Sequence, residues 1–245
     1  MKSRDTTNIQ IIHDSLTSLG LAEAAQQISF NLNSKSSDDL LANIALAFKS
    51  VALEKDQIRA TKLLGRSRLG SPYFFSDLII REDRELDLDY IKELQELHFI
   101  EANRNLVVWG PSGTGKTWIA KAIATEACMK GIRTRWIRFP DLYRQLKYLD
   151  EKGGTALNSK FKYYCKFPLL CIDEFPNADL TEAYILQEFF DLLGEAGNSV
   201  IVCSQSNPEN WDQFFPVLSF GQSIRGRLLQ NALRIEMKGK DMRLD

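Results

Sequence analysis

The sequence has few histidines and no closely spaced pair of cysteines. The chain of 245 residues contains two histidines, His13 and His98, and four cysteines that form no C-x-x-C pair. Zinc sites of the usual ligand spacing are therefore not expected. Acid–base catalysis by imidazole is disfavoured as well, because both histidines lie on helix-like segments away from the motifs described below. The cysteines are interpreted as reduced, half-buried apolar residues.

Long apolar runs are also missing. Runs such as Leu106–Trp109 and Val200–Cys203 fall far short of the roughly 18 residues that span a bilayer. The first eight residues contain no apolar stretch of the kind found in signal peptides. We therefore expect a chain that has no membrane partner and stays in the cytoplasm.

Neither sign of charge dominates the composition. There are 31 Lys and Arg against 32 Asp and Glu, and the 44% hydrophobic and 26% charged content is typical of a soluble globular protein. The charge is unevenly distributed along the chain, however. Residues 77–101 contain nine acids and three bases, whereas residues 130–147 contain six bases and one acid. Net charge therefore says nothing about nucleic acid, and a local basic stripe still allows it to bind.

The first third of the chain has helical periodicity. Apolar spacing predicts helices on both sides of Gly20. A Ser/Asn-rich break at 31–37 then precedes a long predicted helix over Asp38–Leu64, which Gly65 is expected to stop. An acidic helix is predicted over Asp87–Phe99.

After Asn105 short apolar runs alternate with helical patterns. This alternation predicts an α/β fold, in which a five-stranded parallel sheet lies between helices. Strands are predicted at 106–109, 132–138, 168–172, 199–204 and 232–236, and helices at 116–129, 140–149, 181–193 and 223–230. The chain is accordingly divided into a small helical N-terminal domain for partner binding or assembly (1–68), a linker with the acidic helix (69–105) and the α/β core (106–245).

A glycine-rich stretch lies between the first predicted strand and the helix that follows it. It matches G-x-x-x-x-G-K-[ST], the pattern of a phosphate-binding P-loop, in the context that the pattern needs. Glycines allow backbone N–H groups to point at phosphate oxygens, and the helix presents its positive end to the same anion. The stretch consists of Gly110, Pro111, Ser112, Gly113, Thr114, Gly115, Lys116 and Thr117. We expect Lys116 to reach the β- and γ-phosphates of a nucleotide and the Thr117 hydroxyl to ligate Mg²⁺.

Two adjacent acids follow the third predicted strand. The apolar run Leu169–Ile172 continues directly into Asp173 and Glu174. We expect Asp173 to hold the water shell of Mg²⁺, and Glu174 to orient a water for in-line attack on the γ-phosphate. A water-activating glutamate indicates a nucleotide hydrolase rather than a small-molecule kinase.

An uncharged polar residue ends the fourth predicted strand. Parallel sheets bind ligands at the carboxyl ends of their strands, so Gln205 is a candidate hydrogen-bonding partner of the γ-phosphate and the attacking water. We prefer Gln205 to Ser204 for this role. The alternative is a turn residue before Asn207 and Pro208.

Two arginines lie in the last predicted helix. An arginine that reaches the nucleotide of a neighbouring subunit neutralises charge on the transferred phosphoryl group and makes hydrolysis depend on assembly. Arg227 is preferred to Arg225 for this role. The alternative is an ordinary solvent-exposed helix arginine.

With these elements together, the chain resembles the AAA+ ATPases, and more narrowly the IstB family of insertion-sequence ATP-binding proteins, relatives of the helicase loader DnaC. The resemblance covers most of the chain. Beyond the P-loop and the acid pair it rests on Leu97–Glu101, on Ser204 and Gln205 with Trp211, on Arg227–Leu229 with Asn231 and Ala232, and on Ile235–Arg243.

The resemblance implies a DNA-dependent ATPase that multimerises on DNA with ATP and assists a transposase in target selection and insertion. Its implied cofactors are ATP and Mg²⁺, and its implied partners are DNA, a transposase and further copies of the chain. It gives Lys116 and Thr117 the phosphate and Mg²⁺ contacts. It further assigns hydrolysis to Asp173 and Glu174, γ-phosphate sensing to Gln205, and the intersubunit contact to Arg227.

The wider AAA+ pattern includes a helical lid that supplies a further arginine over the nucleotide. Nine residues follow the last predicted strand, which are too few for such a lid. The resemblance to the IstB and DnaC proteins implies the same absence. Arg243 is a candidate substitute for the arginine of the lid.

Basic residues near the second predicted strand are candidate DNA contacts. Phosphate contacts need only cations and hydrogen-bond donors, and a multimer repeats them on each subunit. The alternating spacing of the first three predicts that they share one face of the strand. The candidates are Arg133, Arg135, Arg138, Arg144 and Lys147, with Lys160 and Lys162 nearby in sequence. The alternative is an ordinary solvated face.

Two other functions remain open from the sequence. One is a DnaC-like loader whose N-terminal helices bind a replicative helicase. The other is an ATP-gated, DNA-binding scaffold that assembles with nucleotide and hydrolyses little of it.

Overall fold

The computed structural model describes residues 2–18, 20–32, 37–176 and 180–243, with the backbone alone for 2–9, 27, 29–32 and 37–47. Packing divides the chain into two units, Met1–Arg59 and Ala60–Asp245. The N-terminal unit contains helices α1 (Lys2–Ser18) and α2 (Ala22–Leu32) and most of α3 (Ser37–Ser67). Its described buried side chains are apolar and consist of Ala24, Ala25, Ile28 and Val51.

Helix α3 continues past the glycine that was expected to stop it. The Ser67 hydroxyl donates to the carbonyl of Leu64 (2.7 Å) and accepts from the Leu69 N–H (3.2 Å), which satisfies backbone groups at the helix end. Arg68 then takes the left-handed conformation (φ 64°) that a glycine usually provides. The prediction of a stop at Gly65 is therefore wrong, because the capping groups come three residues later.

The predicted acidic helix is interrupted. Helix α4 (Leu88–Glu96) begins after Asp87, whose carboxylate accepts from the N–H groups of Asp89 and Tyr90. It ends at Leu97, which adopts a left-handed conformation while its side chain is buried, and the short helix α5 (His98–Glu101) follows. The segment before α4 contains two 3₁₀ turns, Phe75–Asp77 and Glu82–Arg84.

Five parallel strands form the sheet of the larger unit, as the α/β alternation predicts. They are β1 (Leu106–Trp109), β2 (Thr134–Arg138), β3 (Leu169–Asp173), β4 (Ser199–Ser204) and β5 (Leu233–Glu236). Their spatial order is β2-β3-β4-β1-β5. The register places Arg138 opposite Asp173, and Trp109 opposite Ser204. The residues that follow β1, β3 and β4 therefore meet at one edge of the sheet.

Helices cover both faces of the sheet. They are α6 (Lys116–Met129), α7 (Phe139–Glu151), α8 (Ala156–Tyr164), α9 (Ala183–Glu195) and α10 (Leu218–Leu229). Helix α8, which buries Phe161 and Tyr164, was not predicted, because it is short, two lysines interrupt its apolar pattern and two glycines lie shortly before it. Helix α10 begins five residues before its predicted start at 223.

Alternate strand residues enter two separate cores. One core contains Val107, Leu170 and Val202 with side chains of α7 to α10, and the other contains Val108, Cys171 and Ile201 with side chains of α4 to α6. A sheet covered on both faces explains why its strands are continuous apolar runs.

The cysteines are reduced as expected, but three of the four are buried rather than half-buried. All four cysteines are free, and Cys128, Cys171 and Cys203 are buried while Cys165 is half-buried. In the described part of the chain, no helix combines the length and the apolar character needed to cross a membrane.

Candidate functional site

The P-loop joins β1 to α6 through three glycines with positive φ. Gly110, Gly113 and Gly115 have φ angles of 143°, 80° and 92°. A Cβ atom on Gly110 would lie 2.1 Å from the carbonyl oxygen of Met237, and one on Gly115 would lie 2.9 Å from Nη2 of Arg84. Because other residues are strained or crowded at these positions, the loop can curl only with glycine. It therefore has the backbone shape that a phosphate cradle needs.

Lys116 is the first residue of α6 and folds back over the loop. Its Nζ donates to the carbonyl of Pro111 at 2.6 Å. Burial lowers the pKa of the ammonium, although Cys203 and Asp173 oppose this effect. A cation held across the loop supplies the charge that a phosphate group requires there.

Thr117 and Asp173 connect the P-loop to the end of β3. The Thr117 hydroxyl lies 3.1 and 3.2 Å from the two carboxylate oxygens of Asp173. Burial raises the pKa of Asp173, while the hydrogen bond from Thr117 acts in the opposite direction. Mg²⁺ is usually held by one or two carboxylates, with waters and substrate phosphates completing its shell. A hydroxyl and a carboxylate beside a phosphate cradle fit this ion.

Glu174 follows β3 in a left-handed conformation (φ 63°). Its carboxylate is engaged by Arg138, whose Nε and Nη2 both donate to Oε2, at 3.1 and 2.8 Å. These hydrogen bonds raise the pKa of Arg138. Because β2 is adjacent to β3, Arg138 at the end of β2 can contact Glu174, which directly follows β3.

The two polar residues after β4 have different surroundings. Ser204 is buried, and its hydroxyl accepts from Trp211 Nε1 (3.1 Å) and donates to the Ser206 carbonyl (2.9 Å). Gln205 is exposed and has no hydrogen-bond partner among the described residues. Gln205 is therefore the group of this pair that is available to a ligand.

A cavity of about 570 Å³ contains these residues. Lys116, Thr117, Asp173, Glu174 and Gln205 all line it, so the structure brings together residues from three separate stretches of the chain. Apolar side chains that no motif indicated also line the cavity. We call them the apolar wall, and they are Tyr73, Leu78, Ile79, Trp118 and Met242. The only sequence signal for this wall was the aromatic run that begins at Tyr73.

Arg84 is a second missed residue. It is 2% exposed, and it donates to the carbonyls of Ile79 (2.6 Å) and Thr114 (3.3 Å). Burial lowers its pKa. The side chain therefore ties the segment before α4 to the P-loop. An arginine inside an acidic segment resembles a solvated residue in sequence, so nothing in the pattern identified it.

The segment after β5 lies against the P-loop. The Met242 N–H donates to the carbonyl of Gly113 at 3.0 Å, and Arg243 Nη2 donates to the Ser112 hydroxyl at 3.1 Å. Arg243 also pairs with Asp241, which lowers the pKa of that carboxyl to about 2. Arg243 thus lies beside the phosphate cradle.

The two helix arginines do not line this cavity. Arg225 is paired with Glu209 and Asp212 at 3.0 and 3.1 Å. Arg227 is paired with Asp191 at 2.6 Å, and 55% of its side chain is exposed. A role for Arg227 at a nucleotide therefore requires the cavity of another copy of the chain.

The predicted basic stripe is not a stripe in the structure. Arg133 is exposed, but Arg135 is 8% exposed and donates to the carbonyl of Arg66, while Arg138 is paired with Glu174. The expectation that the three share one face is wrong, because side chains alternate along a strand and 138 differs from 133 and 135 by an odd number. Arg144 and Lys147 are paired with Asp141 and Glu182.

Comparison with known proteins identifies relatives that span the chain. The family described as IstB-like ATP binding protein matches residues 13–245. An insertion sequence ATP-binding protein of Sinorhizobium fredii is 28% identical over 233 residues, which cover 93% of this chain and 92% of the relative.

Solved structures share the fold at lower identity. The crystal structure of the DnaC helicase loader superposes with a TM-score of 0.55 at 18% identity, covering 70% of this chain and 99% of the loader. The replication initiator DnaA, bound to AMPPCP and single-stranded DNA, gives a TM-score of 0.56 at 20% identity, over 71% of this chain and 52% of DnaA. Both likenesses show the α/β fold of the larger unit.

We expect Lys116→Ala to lower the affinity for ATP by about 10- to 100-fold, because a charge-assisted contact with phosphate is lost. Equilibrium dialysis with labelled ATP measures this. Lys130→Ala, at the opposite end of α6, is the matched control and should bind like the wild type. Unchanged affinity in Lys116→Ala would place the phosphates elsewhere.

Proposed function

Because the chain belongs to the family of IstB-like ATP-binding proteins, we propose that it is a DNA-dependent member that assembles on DNA with ATP and assists a transposase in target selection and insertion. The chain is a P-loop AAA+ ATPase of this group. Its insertion-sequence relative supports the link to transposition. The site geometry described above supports control of hydrolysis by a partner.

The P-loop and the residues around it bind the triphosphate. The backbone of residues 110–115 surrounds the phosphates, and Lys116 contributes a cation to the β- and γ-phosphates. Thr117 and Asp173 would hold the Mg²⁺, which neutralises phosphate charge when bound. The base of the nucleotide packs against the apolar wall that includes Tyr73 and Ile79.

Hydrolysis requires a water positioned in line with the γ-phosphate. Glu174 accepts a proton from this water as the oxygen bonds to phosphorus and the bond to the ADP oxygen breaks. Gln205, which is exposed and unpaired within the described structure, orients the water and the γ-phosphate by hydrogen bonding. Inorganic phosphate and ADP are the products.

The contact between Arg138 and Glu174 carries the proposal of DNA dependence. A carboxylate oxygen that accepts two hydrogen bonds from a guanidinium is held by that contact and is not free to accept from an attacking water. Arg138 is exposed over 56% of its side chain. A polyanion that attracts Arg138 therefore frees Glu174 and raises the rate.

Arg227 is the residue that would make hydrolysis depend on assembly. Its exposed side chain lies on α10, outside the cavity of its own chain. We propose that it reaches the nucleotide bound by a neighbouring copy, where it stabilises the charge of the transferred phosphoryl group. Hydrolysis then depends on the assembled state.

A scaffold that hydrolyses little ATP is the second candidate. The same contact between Arg138 and Glu174 favours it, because a permanently held carboxylate leaves ATP bound and intact. The likeness to the DnaC helicase loader extends over the fold alone, so binding of a replicative helicase is the less supported alternative. Rates of ATP hydrolysis measured with and without DNA distinguish the DNA-dependent ATPase from the scaffold.

Arg138→Ala is expected to raise the rate of ATP hydrolysis without DNA by up to roughly fivefold, because an exposed ion pair is worth about 0.2–1 kcal/mol. DNA should then stimulate the variant less than it stimulates the wild type. Steady-state release of phosphate, with and without duplex DNA, gives both rates.

Two control variants accompany this measurement. Arg234→Ala removes an exposed arginine that is paired with Glu209 and does not line the nucleotide cavity, and should leave both rates unchanged. Glu174→Gln should lower both rates by roughly 10²- to 10⁴-fold. A DNA-free rate in Arg138→Ala that equals or falls below the wild-type rate contradicts the proposed restraint.

Mixing two inactive variants tests the assignment of Arg227. Arg227→Ala should hydrolyse ATP on the order of 10³-fold more slowly, and Lys116→Ala should hydrolyse almost none, because its own site binds ATP weakly and lacks the lysine charge at the γ-phosphate. Mixed together, they should regain part of the activity, since Lys116→Ala subunits still offer Arg227 to intact P-loops. Arg225→Ala is the control, with activity close to wild type. Failure of the mixture to regain activity argues against a contact between subunits.

A further inference from the structure

Three cations lie beside the start of β2 and do not line the nucleotide cavity. Arg135 and Lys160 both lie over the Tyr163 ring, and Arg135 donates to the carbonyl of Arg66, two residues before Arg68. Arg68 follows α3, Arg135 lies in β2 and Lys160 lies in α8. Burial lowers the pKa of Lys160, and the charges of Arg135 and Arg68 lower it further. We name this group the cationic cluster. It is formed by three separate stretches of the chain.

Among the residues that the structure describes, no carboxylate pairs with the cationic cluster. Across residues 60–176 and 180–243, no ion pair includes any of its three members. Arg135 is 8% exposed, and its Nη1 donates to the Arg66 carbonyl at 3.0 Å, so its nearest partner is a neutral group. Buried charges in proteins are normally paired. The cluster therefore carries uncompensated positive charge.

Aromatic rings line the same place. The guanidinium carbon of Arg135 lies 5.7 Å from the centre of the Tyr163 ring, and Nζ of Lys160 lies 5.1 Å from it. Cation–π contacts of this kind stabilise the charges only in part. Tyr163 and Lys160 are half-buried, whereas Arg68 is exposed.

We infer that the cationic cluster binds a phosphate of the DNA backbone, an inference that rests on the proposed function. Arg68 and Lys160 reach the phosphate from the surface, and Arg135 contributes its charge from behind them. Phosphate contacts need cations and donors without a sequence motif. The proposed function requires contacts with DNA, so a nucleic acid phosphate is the favoured ligand of this cluster.

The affinity of full-length protein for a fluorescently labelled duplex, measured by anisotropy over a range of salt concentrations, tests the inference. Arg68→Ala with Lys160→Ala should bind roughly tenfold more weakly or worse. Each lost phosphate contact should reduce the slope of log K against log salt by about 0.9. Both substitutions affect exposed or half-exposed side chains, and equilibrium dialysis with ATP confirms that the variant is folded.

Conservative and distant variants sharpen the result. Arg68→Lys with Lys160→Arg should keep the wild-type slope, because the charges remain. Lys92→Ala removes an exposed lysine that is paired with Asp89 at 2.9 Å, and should change neither affinity nor slope.

Each remaining outcome overturns the inference. Wild-type affinity and slope in the double alanine variant contradict it while the proposed function stands. An intact affinity for DNA with a lost affinity for polyglutamate assigns the cluster to an acidic protein instead. If the wild type binds no DNA at any salt concentration, the proposed function and the inference both fail.

Discussion

The hydrogen bonds between Thr117 and Asp173 hold the two halves of the nucleotide site together. Thr117 belongs to the helix that follows the P-loop, and Asp173 is the last residue of β3, so the contact connects a helix terminus to the carboxyl edge of the sheet. The strand order places β4 and β1 on the other side of β3 from β2. The carboxyl edge consequently presents Gln205 and Arg138 on opposite sides of the acid pair. The strand order therefore determines where Gln205 and Arg138 lie relative to Asp173 and Glu174.

Much of this arrangement is predictable from sequence. The P-loop pattern and the run into Asp173 are local signals, and strand alternation gives the sheet to within two residues at each strand. Family resemblance gives the narrower identity, which the match to IstB-like ATP-binding proteins confirms. These features are accessible because each depends on neighbouring residues, whose spacing the sequence displays directly.

Contacts between distant segments were not predictable. Arg84 lies in an acidic stretch and becomes buried only because the fold places it under Thr114. Arg138 was grouped with Arg135 by spacing, but strand alternation and the register with β3 direct one toward Glu174 and the other toward Arg66. In each case the partner is a residue far along the chain. Sequence spacing specifies faces of an element, whereas it does not specify what covers them.

The account depends most directly on Thr117 and Asp173 sharing the Mg²⁺ of ATP. The decisive measurement is the affinity for ATP with Mg²⁺ and with EDTA, compared among the wild type, Thr117→Val, Thr117→Ser and Asp173→Asn. We expect Mg²⁺ to tighten binding to the wild type and Thr117→Ser by at least about tenfold, or about 1.4 kcal/mol. Thr117→Val and Asp173→Asn should lose most of this gain while binding ATP in EDTA. Undiminished dependence on Mg²⁺ in both of these variants would contradict the account.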